Sequence, residues 1–285
     1  MNDKLSASIL DRPNSYIGRS VPRPNARRLL AGRGQFPSDL ALPRMVHVAF
    51  ARSPYAHARI VGINIEAARR APGVIGVYTG RDIAQLCQPW VGTLEHFAGM
   101  KSAPQYPLAC EVARWQGEPV VAVVAQTRAQ AEDALELLQI DYEELPTVTD
   151  PETALDPDTP LIHPELGDNL VFGTKIEAGD IDRACAEADL VVEDVFHFGR
   201  HTGVTLEPRA LVADYDPSEQ RLTVYHGTQT PYQMQDVYAR HLGLAEENVR
   251  VVAKDIGGAF GIKLHVYGEE MATCALSILL KRPVK

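Results

Sequence analysis

Residues 254–263 read Lys-Asp-Ile-Gly-Gly-Ala-Phe-Gly-Ile-Lys (KDIGGAFGIK) and stand between an apolar run of strand character at 249–253 and a longer one of helix character at 267–280. Glycine removes the Cβ, so backbone N–H groups can face an incoming group, and the start of a helix adds further unpaired donors. An anionic ligand is therefore the first candidate. The alternative is a tight strand-to-helix turn with no ligand, since Gly-rich connections are common punctuation. The stretch is not a Walker A loop, because Ile262 separates Gly261 from Lys263 and Leu264 follows; that motif needs Gly-Lys-Ser/Thr. Nor can G-x-G-x-x-G be laid over residues 257–262.

Working outward, the chain has 285 residues, 45% hydrophobic and 23% charged, room for two domains with a real core. A formal net charge of −9 argues against a broad nucleic-acid or membrane-surface footprint, which needs clustered Lys and Arg. No run reaches the length of a membrane-spanning helix, and residues 1–20 lack the apolar core of a secretory signal. A cytoplasmic protein is expected. Cys87, Cys110, Cys185 and Cys274 are scattered with no C-x-x-C pair, so neither zinc nor an iron–sulfur cluster is indicated, and free, mostly buried thiols are expected.

The pattern predicts an α/β (α+β) chain in four parts. Residues 1–40, rich in Arg, Pro and Gly, form an extended arm whose Leu29, Leu30 and Phe36 favour docking. Residues 41–150 form a small α/β domain: MVHVAFAR alternates as a strand, residues 58–80 read strand, short helix, strand, and EPVVAVVAQ is a buried strand. Thr127 and Gln130 make a capping box ahead of a helix with Ala131, Ala134, Leu135 and Leu138 on one face. Residues 151–163 are a Pro/Asp/Thr linker, and 164–285 form the second domain. There, NLVFGTKIEAGD and ADLVVEDVFHFGR are strand candidates around a short helix at 181–188, and RALVADYD with RLTVYHG predicts a hairpin. A helix follows with Thr230 as N-cap, Pro231 first, Gln233 closing a capping box and Gly243 as stop.

Two helix starts, after GTQT (227–230) and after the glycine stretch, each follow a strand, an arrangement in which ligands collect. Gln229 offers both a donor and an acceptor there, or is simply a neighbour of a surface cap. Glu207 and Arg209, one residue apart, read either as a substrate-carboxylate site or, preferred, as structural ion pairing. His197 and His201 lie in strand-like sequence, where their spacing does not make the helical zinc pair. No G-x-S-x-G or H-E-x-x-H occurs.

The run EPRALVADYD, GTQTPY and VRVVAKDIGGAFGIK, in that order, resembles the molybdenum-cofactor-binding large subunit of the xanthine dehydrogenase, aldehyde oxidase and carbon monoxide dehydrogenase family. Its front half, from IGRSVPRPNARRLLAGRGQF to DYEELP, resembles that family's α/β hammerhead domain, so the fold implied is a hammerhead followed by the first part of a molybdopterin-binding domain. The resemblance implies molybdopterin cytosine dinucleotide as cofactor. It places Gln229 against an oxo ligand of molybdenum, with no protein ligand to the metal itself. Gly257, Gly258, Ala259, Phe260 and Gly261 become the loop that lies along the cofactor. Leu264 stands where purine-hydroxylating relatives carry glutamate, which argues against a purine substrate. The family's general-base glutamate lies in sequence beyond the matched part. It is expected on a second chain that carries the C-terminal molybdopterin domain, with iron–sulfur clusters and FAD on further partner subunits. The chain is then the N-terminal part of a split large subunit, inactive alone, that hydroxylates an aldehyde or N-heterocycle with oxygen from water. The alternatives are a non-catalytic binding or assembly module and, more weakly, an ATP-binding protein using the glycine loop.

Overall fold

The computed structural model describes residues 16–92 and 97–285. Expectations for the first fifteen residues of the arm lie outside the described residues. In the remainder of the arm residues 16–25 are exposed; contact with the second domain is made from a short helix, α1 (Ala26–Leu30), onward, with Leu29 and Phe36 half-buried, whereas Leu30, also expected to dock, is 89% exposed. The first domain then runs β1 (His47–Arg52), β2 (Ala58–Asn64), α2 (Glu66–Arg69), β3 (Val74–Thr79), α3 (Gly80–Ile83), β4 (Val112–Ala113), β5 (Pro119–Ala125), α4 (Arg128–Leu135) and β6 (Gln139–Glu144).

Two three-stranded antiparallel sheets result, ordered β1-β5-β3 and β4-β2-β6. Every residue of β5 is buried, which explains its uninterrupted apolar sequence: it is the middle strand and is covered on both faces. The capping box of α4 forms as expected. Thr127 Oγ1 accepts from Gln130 N at 3.3 Å, and Gln130 Oε1 accepts from Thr127 N at 3.1 Å. Ala131 and Ala134 then face the sheet, small enough to let the helix lie close against it.

The second part runs α5 (Ile181–Glu187), β7 (Leu211–Asp216), β8 (Arg221–His226), α6 (Pro231–Leu242), β9 (Val249–Val252) and α7 (Gly268–Leu280). The β7–β8 hairpin pairs Leu211 with His226 through Asp216 with Arg221, and β9 adds parallel to β8 after crossing over through α6. The two parts share one core. Ile83, Leu108 and Val124 from the first pack in the same cluster as Leu222, Met234, Met271 and Leu276 from the second. Burial of each such side chain contributes about 1.5–3 kcal/mol. Backbone hydrogen bonds add a stitch: Val284 exchanges two with Ala213, while Val46 and Val48 pair with the segment 283–285.

Several expectations are corrected. Neither 169–180 nor 188–200 forms a strand; residues 173–202 are exposed throughout, and only the helix between them appears. Neither segment pairs with a strand among the described residues, and a strand without a partner is not stable. Thr230 does not cap α6 through its side chain; its hydroxyl donates instead to Leu264 O at 3.3 Å, so no capping box forms with Gln233. Gly243 does end the helix, in the left-handed conformation. Of the four thiols, Cys87 and Cys274 are buried, Cys110 is half-buried and Cys185 is exposed. Burial pushes the Cys87 thiol up to about 12. Among the described residues no helix is long and apolar enough to cross a membrane.

Candidate cofactor site

The chain leaves β9 and meets the arm before it reaches the glycines. Asp255 accepts from Arg28 Nη1 at 2.7 Å and from the Gln35 amide at 2.8 Å, while Lys254 Nζ donates to Gln35 Oε1 at 2.9 Å. The Arg28 hydrogen bond, helped by the Gln35 amide, holds the Asp255 carboxyl down at about 2. This pairing spans 227 residues, which is why no local pattern revealed it.

Behind the loop sits a buried charge pair. Glu207 Oε2 accepts from Lys263 Nζ at 2.7 Å and from the Gly257 amide at 2.7 Å, and the Glu207 amide donates to Gly257 O at 3.2 Å. Lys263 is only 2% exposed, so its ammonium stays in the interior because Glu207 neutralises it. A Cβ on Gly257 would lie 2.5 Å from Glu207 Cβ, so glycine is obligatory for this contact. Lys263 therefore fastens the loop from within, where a Walker lysine would reach outward to phosphate.

The GTQT turn meets the far side of the loop. Gln229 N donates to Lys263 O at 3.0 Å, Thr228 Oγ1 donates to the same oxygen at 3.1 Å, and Gln229 Oε1 accepts from the Gly261 amide at 3.1 Å. The GTQT turn and the glycine loop thus meet directly. Because its oxygen is occupied by Gly261, exposed Gln229 presents its NH2 group as an outward donor. The start of α7 plays a different part from the one expected. It lies beyond residues 264–267, and its acidic first turn, Glu269 and Glu270, is occupied by Arg209 at 2.6 and 3.0 Å.

Between these anchors, Gly258, Phe260 and Gly261 have φ of 99°, 51° and 90°. Positive φ is uncommon and strained for a residue such as Phe, and strain of this sort persists only where surroundings impose it. Phe260 is nonetheless 76% exposed. Among the described residues the amides of Gly258, Ala259 and Phe260 donate no hydrogen bond. Successive unpaired amides beside an outward amide side chain form a concave donor set that suits oxygen-rich, anionic groups.

Arg209 and Glu207 have separate structural partners and form no common carboxylate site. Arg209 also lies 3.5 Å over the Tyr267 ring, whose hydroxyl donates to Ile262 O at 2.6 Å. A cavity of about 220 Å³, lined by Arg52, Trp90, Tyr106, Trp115, Arg209 and Tyr267, opens between the two parts, and Tyr267 joins it to the loop. His226, Glu270 and Tyr238 form a buried network below: Nε2 of the histidine lies 3.3 Å from Glu270 and its Nδ1 lies 3.2 Å from the Tyr238 hydroxyl. His197 and His201 are exposed, and no cluster of three His, Cys, Asp or Glu suited to a metal occurs among the described residues.

Two small antiparallel sheets with their helices are thus joined to an α/β unit that bares a glycine loop. Residues 31–146 match the aldehyde oxidase and xanthine dehydrogenase a/b hammerhead domain, and residues 162–285 match the molybdopterin cofactor-binding domain. The chain belongs to the family of molybdenum hydroxylase large subunits that these two domains characterise. It is 38% identical to the nicotine 6-hydroxylase large subunit of Paenarthrobacter nicotinovorans over 97% of this chain and 35% of that protein. Quinoline 2-oxidoreductase of Pseudomonas putida 86 superimposes with a TM-score of 0.88 at 40% identity, over 94% of this chain and 34% of that one. The chain thus spans about a third of the length of these relatives. It spans 60% of the nicotinate dehydrogenase large molybdopterin subunit of Eubacterium barkeri, at 33% identity over 94% of this chain, so a much shorter subunit of the family exists.

Proposed function

We propose that this chain is the N-terminal part of a molybdenum hydroxylase large subunit whose glycine loop holds molybdopterin cytosine dinucleotide. The observation that carries this is the donor set: the amides of Gly258, Ala259 and Phe260 unpaired on a loop pinned from behind by Glu207 and Lys263. These amides would meet the anionic oxygens of the cofactor, with Gly257 and Gly261 allowing the backbone to approach. Gln229, its carbonyl oriented by Gly261, would donate its NH2 to an oxygen ligand of the metal. Phe260 would wall the reacting centre with an apolar surface. When bound, the cofactor supplies the redox centre for hydroxylating a substrate carbon with oxygen from water.

The general base and the remaining cofactor contacts would come from a second chain carrying the rest of the large subunit. The short Eubacterium barkeri relative supports such a division. Iron–sulfur and FAD subunits would take the electrons, in keeping with relatives named as subunits of larger enzymes. Nicotine, quinoline and nicotinate in the relatives' names favour an N-heterocycle over an aldehyde as substrate. Leu264, with no carboxylate to offer, supports a substrate other than a purine. The test is turnover of N-heterocycles by the native complex in isotope-labelled water. Incorporation of label into the product supports the proposal. A native preparation in which this chain is alone, free of molybdenum and inert, would overturn it in favour of a non-catalytic module.

A further inference from the structure

Three successive carbonyls at the exit of the glycine loop, those of Ile262, Lys263 and Leu264, are each held by a group outside it. Lys263 O accepts from Gln229 N and Thr228 Oγ1, and Leu264 O accepts from Thr230 Oγ1, all on the GTQT turn. Ile262 O is held from the other direction, by the Tyr267 hydroxyl at 2.6 Å. The backbone of Tyr267 is fixed as the residue before α7, where its carbonyl accepts from the Glu270 and Met271 amides. Its ring is fixed as well. The Arg209 guanidinium lies 3.5 Å from the ring centre and is itself forked between Glu269 and Glu270. Glu269 also takes Arg52, at the end of β1, at 3.1 Å, and Glu270 lies against the buried His226. A cation over a ring face attracts it, so the stack holds the phenol in one orientation. The hydroxyl is thereby presented from a rigid base drawn from both parts of the molecule.

We infer that Tyr267, seated on Arg209, is a positioning residue for the cofactor: it sets the Gly261–Ile262 turn and, through that turn, the aim of Gln229 and of the bared amides. The amide of Gly261 meets Gln229 Oε1 while the carbonyl of the next residue meets Tyr267, so a displacement here turns the outward NH2 of Gln229. Ile262 N also closes the loop on Ala259 O at 3.0 Å, beside the unpaired amides of Gly258, Ala259 and Phe260. This role rests on the proposed function, since it names what keeps that donor set in place. It belongs to the geometry of the site more than to the stability of the fold. Ile262 is half-buried, and water can take up its oxygen when the phenol is removed.

Tyr267→Phe keeps the ring and its stack on Arg209 while removing the donor. In the native complex this variant should unfold at the parent's temperature, yet release molybdenum about fivefold to tenfold faster, the worth of one hydrogen bond. The electron paramagnetic resonance spectrum of the part-reduced complex, whose shape reports the surroundings of the metal, should change with it. Arg209→Lys keeps a charge for Glu269 and Glu270 but loses the planar stack, and should move both readouts in the same direction. Release of molybdenum and a spectrum equal to the parent's in Tyr267→Phe would overturn the inference and leave the proposed function standing. So would changes that appear only together with a lowered unfolding temperature, the mark of a general structural role. A parent complex free of molybdenum would overturn both.

Discussion

Glu207→Gln removes the charge that neutralises Lys263 while keeping an oxygen for the Gly257 amide. The ammonium of Lys263 is 2% exposed and Glu207 Oε2, at 2.7 Å, is its carboxylate partner. Breaking a buried pair by removing one partner costs about 3–5 kcal/mol, because the other charge is left uncompensated. With a urea slope of about 3 kcal/mol per molar, the unfolding midpoint should fall by about 1 M or more. Lys263→Met in the Glu207→Gln background removes the stranded charge and should recover a large part of the loss. Glu207 Oε1 is buried without a partner, so part of the pair's electrostatic benefit is already offset by desolvation in the native protein. Urea unfolding of the purified protein and its two variants decides the matter. Equal instability of the single and double variants, or a Glu207→Gln midpoint unchanged from the parent, would refute the view that this pair fastens the loop.

Other expectations follow from the same geometry. Arg28→Ala should release the arm at neutral pH, seen as faster proteolysis within residues 19–33. In the parent the Asp255 carboxyl lies at about 2 against an ordinary 3.8, so its stabilisation is present above pH 4 and is lost as pH falls through about 2, and proteolysis by an acid protease should accelerate there. Burial raises the Glu118 carboxyl from 4.5 to about 7 against the hydrogen bond from the Arg114 amide, so this group costs stability as pH rises from 4.5 to 7. Glu118→Gln should flatten that dependence and raise stability at pH 8, by up to about 3 kcal/mol at 1.4 kcal/mol per pH unit, measurable by thermal unfolding across pH. Phe260→Gly, which relieves the φ of 51° but removes the ring, should leave thermal stability unchanged or raise it slightly while lowering substrate turnover in the complex.

Periodic segments were legible because their own burial dictates their sequence. The all-apolar β5, the capped α4 and the β7–β8 hairpin, Leu211 to His226, each carry their signal within one short continuous stretch. Residues 188–200 misled for a physical reason: their Val and Phe content records the propensity of a strand, while a strand also needs a partner, and this segment pairs with none among the described residues. Thr230 misled because a hydroxyl at a helix start has a choice of acceptors, and the turn at Leu264 is within its reach. Within the site, the glycines and Gln229 announced a closely approached turn, and the meeting of the two turns followed from strand order. The fastening was invisible. Arg28 with Asp255 and Glu207 with Lys263 are joined across 227 and 56 positions, and only folding brings them together.

Quantifying molybdenum in the native complex, with and without Gly258→Val, tests the central claim most directly. The φ of 99° at Gly258 suits glycine alone, and a β-branched side chain there would both strain the turn and cover the bared amides. The parent complex should contain molybdenum in proportion to this chain, and the variant should retain its partner chains while losing most of the metal. A variant complex with full molybdenum content, or a parent complex with none, would contradict the account.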